Sequence, residues 1–216
     1  MTRVILVRHG QSQANADGVL AGRLESPLTA IGRDQALDVG RRLADLPLAR
    51  AVVSPVLRTR QTADLALATR DVPIVVDDGV SEVDYGDWTG KGLADLATEP
   101  LWAQVQRHPA GVTFPNGESM AGMSARAVAA VRGHAAEVQD AALLVISHGD
   151  LIKAILADAL GLHLDAFQRI VVDPASVSVV RHTPLGAFVE SMNDRRAETF
   201  ALAATGGIDA VPGGGG

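Results

Sequence analysis

Two histidines stand directly after short apolar runs of this chain, and a glycine follows each of them. The run 4–7 leads into Arg8-His9-Gly10, and the run 143–146 leads into Ser147-His148-Gly149. Each run has the length of a buried strand, so the pattern predicts both imidazoles at the same edge of one sheet. Two imidazoles beside an arginine are suited to chemistry on an anion.

Other polar residues follow further predicted strands. Arg58 comes soon after the run 50–53, and Glu82 comes soon after the run 74–76. In open α/β sheets the ligand crevice lies outside the carboxyl ends of the strands, so these side chains should face the same point as the histidines. Arginines give charge-assisted, bidentate hydrogen bonds to phosphate, which makes a phosphate monoester the fitting ligand. The chain has no cysteine, so a covalent route points to His9 or His148 as nucleophile.

The order of elements indicates the fold class. Strands are predicted over 3–7, 50–53, 74–76, 142–146 and 176–180, with helical stretches between them. This alternation is typical of an α/β protein with a largely parallel sheet. With 216 residues the chain fits one domain, predicted over 1–205. The glycine-rich segment 206–216 is predicted to be a disordered tail.

Helix signals place some of the polar residues. After the turn 27–29, a helix is expected to cover one sheet face with apolar residues at helical spacing, namely Ala36, Val39, Leu43 and Leu46. Ser54-Pro55 predicts a helix start with Arg58 in its first turn. A second start is predicted within 116–119. The segment 88–117 is the least regular and is either a substrate-facing flap or a surface excursion.

Composition excludes several classes of protein. The net charge of −6 and the 3% aromatic content disfavour a nucleic-acid binder. No apolar stretch is long enough for a membrane span. A strand begins by residue 3 with no leader before it, from which we expect a cytoplasmic location. No metal or cofactor is expected, because the remaining histidines, His108, His134, His163 and His182, lack ligand spacing.

Taken together, the motifs resemble the histidine phosphatase superfamily, phosphoglycerate mutase-like branch, of the broad-specificity phosphatase type. The resemblance covers residues 3 to about 182. The matching segments, in chain order, are Arg8-His9-Gly10-Gln11-Ser12 with Asn15, Pro27-Leu28-Thr29 with Gly32 and Gln35-Ala36, Ser54-Pro55-Val56-Leu57-Arg58 with Gln61-Thr62-Ala63, Glu82 within 81–90, Gly117-Glu118-Ser119, and Ser147-His148-Gly149.

The resemblance implies a three-layer α/β/α fold with a central, mostly parallel sheet, and a set of roles for the residues. His9 would be phosphorylated during turnover, and Glu82 would donate and later accept the proton. The phosphoryl oxygens would be held by Arg8, Arg58 and His148, with Asn15 lining the pocket and Ser12, Gly22 and Gly149 nearby. The chain departs from the family at Ala14 and Glu25, which puts substrate preference in doubt more than catalysis.

Physical chemistry adds expectations about protonation. A nucleophilic His9 must be neutral, with its second ring nitrogen fixed by a backbone carbonyl. His148 is expected to be protonated, as a cationic clamp that offsets charge on the phosphoryl oxygens. Glu82 should be protonated when substrate binds. Asp84 and Asp87 are weaker candidates for the proton donor and are expected to shape the loop.

Three functions stay open at this point. The first is a phosphomonoesterase acting on a small phosphate ester through phosphorylated His9. The second is a cofactor-dependent phosphomutase, which we rank lower because the segment 88–117 is short and offers only Lys91 and Arg107 as cations. The third is an inactive phosphate-binding module, which would not need to retain Glu82. A homodimer is also left open.

Overall fold

Six strands form one mixed sheet in the computed structural model, which describes residues 1–138 and 141–196. The strands are β1 (Thr2–Arg8), β2 (Leu48–Val53), β3 (Ile74–Val76), β4 (Ala142–Ser147), β5 (Val177–Thr183) and β6 (Gly186–Asp194), in the order β3-β2-β4-β1-β5-β6. Strands β1 to β4 run parallel. At one edge of the sheet, β5 pairs antiparallel with β1, and β6 pairs antiparallel with β5. The five predicted strands are confirmed, and β6 was missed.

Seven α-helices surround the sheet in the described part of the chain. They are α1 (Gln13–Ala16), α2 (Ala30–Arg42), α3 (Leu57–Ala66), α4 (Leu93–Leu96), α5 (Pro100–Arg107), α6 (Met120–Ala136) and α7 (Gly149–Ala159). Short 3-10 turns lie at Asp78–Val80, Gly86–Trp88, Pro109–Gly111 and Leu164–Arg169. The predicted starts of α2 and α6 are confirmed, with Thr29 and Ser119 as N-caps.

Alternation along β1 divides the hydrophobic core between the two faces of the sheet. Val4 and Leu6 pack in one cluster with α6 and α7, whereas Ile5 and Val7 pack in a second cluster with α2 and α3. Successive side chains of a strand point to opposite faces, so a strand with apolar residues at every position must be covered on both sides. The result is the expected three-layer α/β/α arrangement.

Two local predictions need correction. Helix α3 begins at Leu57 with Val56 as N-cap, not at Ser54-Pro55, because the Ser54 hydroxyl is hydrogen-bonded to the Nε2 of His148 at 2.8 Å. Arg58 still lies in the first turn. The segment 88–117 is more regular than expected, since Pro100 opens the eight-residue helix α5.

The predicted domain limit at 205 and the predicted tail 206–216 fall outside the described residues and stay predictions. Within the described ranges, no helix is long and apolar enough to cross a membrane.

Candidate active site

The two histidines meet at the carboxyl ends of β1 and β4. These strands are parallel neighbours with Arg8 in register with Ser147, and the backbone N–H of His9 donates to the carbonyl of Ser147 at 3.0 Å. The two imidazole ring centroids lie 5.3 Å apart in an edge-to-face arrangement. The predicted meeting of both imidazoles at one sheet edge is therefore confirmed.

The hydrogen bonds of His9 fix its tautomer. Its Nδ1 lies 2.7 Å from the Gly10 carbonyl, which can only accept, so Nδ1 carries the proton. Its Nε2 lies 3.0 Å from the Nε of Arg58, which can only donate. Burial, Arg58 and Arg8 hold the pKa of His9 well below its usual range. His9 is thus a neutral imidazole with a lone pair on Nε2, as expected for a nucleophile.

Arg58 connects the groups of the site. From the first turn of α3 its guanidinium donates to His9, to the carbonyl of Gly22 at 2.7 Å and to Nδ1 of His148 at 3.0 Å. Gly22 adopts a positive φ of 52°, and a Cβ there would lie 3.1 Å from the Tyr85 ring. A glycine at this position lets a backbone carbonyl orient the arginine.

Arg8 is the second arginine of the site, and one N–H of its guanidinium group is unpaired among the described residues. Its Nη1 donates to the carbonyl of Val172 at 2.7 Å, whereas its Nε is buried and has no hydrogen-bond partner within the described ranges. Gly149 packs beside this guanidinium, and a Cβ there would lie 3.4 Å from the guanidinium carbon, an ordinary van der Waals contact. A buried, unpaired charged donor is costly, so this atom favours an anionic ligand.

The protonation predicted for His148 is wrong for the site without substrate. Its Nδ1 accepts from Arg58, and its Nε2 therefore donates to the Ser54 hydroxyl. Burial holds the pKa of His148 well below its usual range, and the charge of Arg58 lowers it further. A fully buried imidazole that accepts from a guanidinium favours the neutral form, so His148 meets Arg58 as an acceptor in the site without substrate.

The carboxyl group of Glu82 completes the site. Its Oε1 accepts from the backbone N–H of Val83 at 3.0 Å, and its Oε2 lies 3.8 Å from the Nδ1 of His148. Burial raises the pKa of Glu82 to about 7, with a further increase from Asp150 that Arg58 partly offsets. A carboxyl with this pKa can serve as a general acid near neutral pH.

The loop that carries Glu82 is held by residues that sequence reasoning missed. Arg126 donates to the Glu82 carbonyl at 3.1 Å and forms an ion pair with Glu118 at 2.6 Å. Arg23 donates to the same carbonyl at 3.1 Å. The Gly117-Glu118-Ser119 motif was recognised from the sequence. Its partner Arg126 was not, because Arg126 lies further along α6 and belongs to no motif.

Asp84 and Asp87, the weaker candidates for the proton donor, have structural roles. The Asp84 carboxylate accepts from the backbone N–H of Gly86 at 3.0 Å, and the Asp87 carboxylate accepts from the Asn116 amide at 3.1 Å. Both side chains thus stabilise the turn after Glu82, in agreement with the expectation that they shape the loop.

A cavity of about 480 Å³ opens onto these groups. Of the predicted site residues, it is lined by Arg8, His9, Asn15, Gly22, Arg58, Glu82 and Gly149. His148 is fully buried behind Arg58, and Ser12 is also fully buried. The prediction that Ser12 contacts substrate needs correction, because Ser12 caps α1 and its hydroxyl and backbone N–H both bond the Asn15 side chain.

The far end of the cavity comes from residues that the sequence did not single out for a site. Trp102 and Val105 of α5 line it together with Trp88 and Phe114, so the segment 88–117 faces the site and is not a plain surface excursion. Asp150 and Lys153 line it from α7. Among the described residues, no group of three or more histidine, aspartate or glutamate side chains could hold a metal ion.

Comparisons with known proteins agree with this geometry. Residues 4–195 match the profile of the histidine phosphatase superfamily (branch 1). The chain is 34% identical over 182 residues to a Citrobacter koseri protein named "Probable phosphoglycerate mutase GpmB", covering 83% of this chain and 85% of that one.

Solved structures share the fold over nearly their full length. Bacillus stearothermophilus YhfR superimposes with a TM-score of 0.87 at 26% identity, covering 91% of this chain and 99% of that one. The alpha-ribazole phosphatase of Shigella flexneri does so with a TM-score of 0.81 at 27% identity, covering 93% and 100%. The paired histidines, the two arginines and the acid at one sheet edge, together with the family match, show that this chain belongs to the histidine phosphatase superfamily (branch 1).

Proposed function

We propose that this protein is a phosphomonoesterase that hydrolyses a small phosphate ester through a phosphohistidine on His9. The observation that carries the proposal is the arrangement around Nε2 of His9. This atom carries no proton, its lone pair accepts from the Nε of Arg58 until a phosphoryl group takes that place, and the carboxyl of Glu82 lies in the same cavity with a pKa raised to about 7. Nucleophile and proton donor are thus both in the state that the first step needs.

In the first step, Nε2 of His9 attacks phosphorus and the bond from phosphorus to the ester oxygen breaks. Glu82 gives its proton to the departing oxygen, so the alcohol leaves neutral. Arg8 and Arg58 stabilise the charge on the equatorial oxygens, because preorganised donors act strongly in a buried site. The unpaired Nε of Arg8 supports this role. Asn15 contributes an amide donor from the cavity wall.

In the second step, water attacks the phosphorylated His9 and Glu82, now a carboxylate, accepts its proton. Inorganic phosphate leaves, and both residues return to their starting states. His148 stays neutral and positions Arg58, with Ser54 fixing its ring. Ser12 and Gly22 act by placing Asn15 and Arg58, respectively, and Gly149 lines the cavity beside Arg8.

The charges in the cavity favour a phosphatase over a phosphomutase. A mutase must retain a doubly phosphorylated intermediate and therefore needs two anion sites. In the described part of the cavity wall, Lys153 is the cation besides Arg8 and Arg58, and its ammonium already bonds Gln168 at 3.0 Å and Asp150 at 3.4 Å. Asp150 would moreover repel a second phosphate.

A single experiment separates the candidate functions. The purified protein is assayed for phosphate release from a panel of phosphate esters, and for isomerisation of 3-phosphoglycerate with its bisphosphate cofactor. Alkaline quenching during turnover of a ³²P-labelled ester tests for phosphohistidine, with His9→Ala as control. We expect phosphate release and label on His9. Isomerisation without net release would instead support the mutase, and neither turnover nor label would support an inactive module.

A cytoplasmic location and a homodimer remain predictions that this site does not bear on. Cell fractionation and analytical ultracentrifugation test them.

A further inference from the structure

Asp150 occupies a position beside the proton donor that no motif assigned. It lies in the first turn of α7, directly after His148-Gly149, and its carboxylate lines the active-site cavity. The hydroxyl of Tyr85 donates to its Oδ2 at 2.9 Å, and the ammonium of Lys153 lies 3.4 Å from its Oδ1. Tyr85 belongs to the same loop as Glu82, so this hydrogen bond fixes the carboxylate relative to that loop.

The charged groups around Glu82 act in opposite directions. Arg58 from α3, the backbone N–H of Val83 and Arg8 from β1 favour its ionised form. Arg126 from α6 and Arg23 contact its backbone carbonyl. Asp150 from α7 favours its protonated form. The neighbouring imidazoles of His9 and His148 are held neutral. Burial is the largest cause of the raised pKa of Glu82, and the charge of Asp150 adds to it against the two cations.

The pKa of Tyr85 responds to the same neighbouring charges. Burial raises its pKa well above its usual range, and the charges of Asp150 and Glu82 raise it further. The hydroxyl therefore stays protonated and remains a donor to Asp150. Since the ring is 5% exposed and packs edge-to-face on Phe114 at 4.9 Å, it cannot turn away easily.

We propose that Asp150, held in the Glu82 cavity by Tyr85 and partly offset by Lys153, is a positioning residue whose carboxylate favours the protonated form of the Glu82 carboxyl. This inference rests on the proposed function, because it explains how Glu82 is ready to protonate the leaving oxygen beside two guanidinium groups. Asp150 acts by its charge alone, and Lys153 sets how much of that charge Glu82 experiences.

The test is a pair of variants with opposite expected shifts. Asp150→Asn removes the like charge, so the alkaline limb of the kcat/KM profile should move to lower pH by about half a unit or more, a threefold change in the protonated fraction. Lys153→Met removes the cation that offsets Asp150, so the limb should move to higher pH. Asp158→Asn, the same change at the other end of α7, serves as the matched control and should leave the limb in place.

A second readout does not depend on turnover. ¹³C NMR of a protein with labelled glutamate, assigned with Glu82→Gln, follows the carboxyl of Glu82 directly, and the same two opposite shifts are expected. The proposal is overturned if, in both variants, the alkaline limb of the kcat/KM profile and the NMR titration of Glu82 coincide with those of wild type. If Asp150→Asn does not fold, Lys153→Met decides alone. If the NMR shifts appear as expected but no phosphatase activity is found, the proposed function is refuted and the charge coupling between Asp150 and Glu82 stands.

Discussion

The pKa of Glu82 predicts how the reaction depends on pH. With a value of about 7, about nine-tenths of the protein carries the proton at pH 6 and about one-tenth at pH 8. Because the leaving oxygen needs that proton, kcat/KM for an alkyl phosphate should fall about tenfold between these pH values. His9, with its pKa held well below the usual range, stays neutral throughout this interval.

Glu82→Gln isolates the contribution of the acid. The amide keeps the size of the side chain and the acceptor for the Val83 N–H, but it cannot donate a proton as an acid does. We expect kcat/KM for alkyl phosphates to fall by about 10²–10⁴-fold and the alkaline limb to disappear. Aryl phosphates with acidic phenols should lose much less, since their leaving oxygen needs little protonation. A phosphate ester itself titrates near pH 6, so any limb that persists in the variant belongs to the substrate.

The same variant has a consequence for stability. Between pH 4.5 and about 7 the folded protein holds a proton on Glu82 that the unfolded chain has lost, so the folded state loses stability as the pH rises. The difference amounts to about 3 kcal/mol above pH 7. Glu82→Gln should therefore melt at a higher temperature than wild type at pH 8 and at nearly the same temperature at pH 4. Equal losses on alkyl and aryl esters, together with no gain in stability, would refute the reasoning.

Three further variants test the supports of the site. Arg58→Ala should reduce kcat/KM by about 10²–10³-fold and raise the pKa of His9, because a neighbouring cation is lost, as measured by NMR titration; an unmoved titration would contradict the geometry. Arg126→Met should release the Glu82 carbonyl and lower kcat by up to about 10²-fold, whereas unchanged kcat would exclude this role. Gly86→Ala should destabilise the fold by about 1–3 kcal/mol, because the φ of Gly86 is 52° and a Cβ would clash with the backbone before α6. A melting temperature equal to that of wild type would count against this prediction. The control is the same substitution at the helical Gly133, which has open space around it.

The sequence predicted well where local rules decide. Strands β1 and β4, with apolar residues at successive positions, have to be buried on both faces, and the polar ends of the parallel strands have to meet at one edge. His9, Arg8, Arg58 and His148 could be placed together on that basis. Strand β6 escaped because its residues are mostly half-exposed or exposed at the sheet edge, where the apolar periodicity is weak.

The protonation of the site could not be derived from residue types. His148 was predicted to be a cation, yet it accepts a hydrogen bond from Arg58 and is fully buried. Its charge depends on which ring nitrogen faces a donor and on the loss of water around it, and neither quantity is encoded in spacing. The neutral state of His9 was predictable because the role of nucleophile proposed for it requires an unprotonated nitrogen.

By itself, the sequence indicated the family, the meeting of the polar strand ends at one sheet edge and the residues proposed to hold phosphate, because these depend on periodicity and on motifs of a few neighbouring residues. Only the tertiary structure decided which groups set the proton affinity of Glu82. Burial and Asp150, which lies 68 positions away along the chain, raise the pKa of Glu82 only once α7 and the loop are packed together. Tyr85 and Arg126, 3 and 44 positions away, bond Asp150 and the Glu82 carbonyl, respectively.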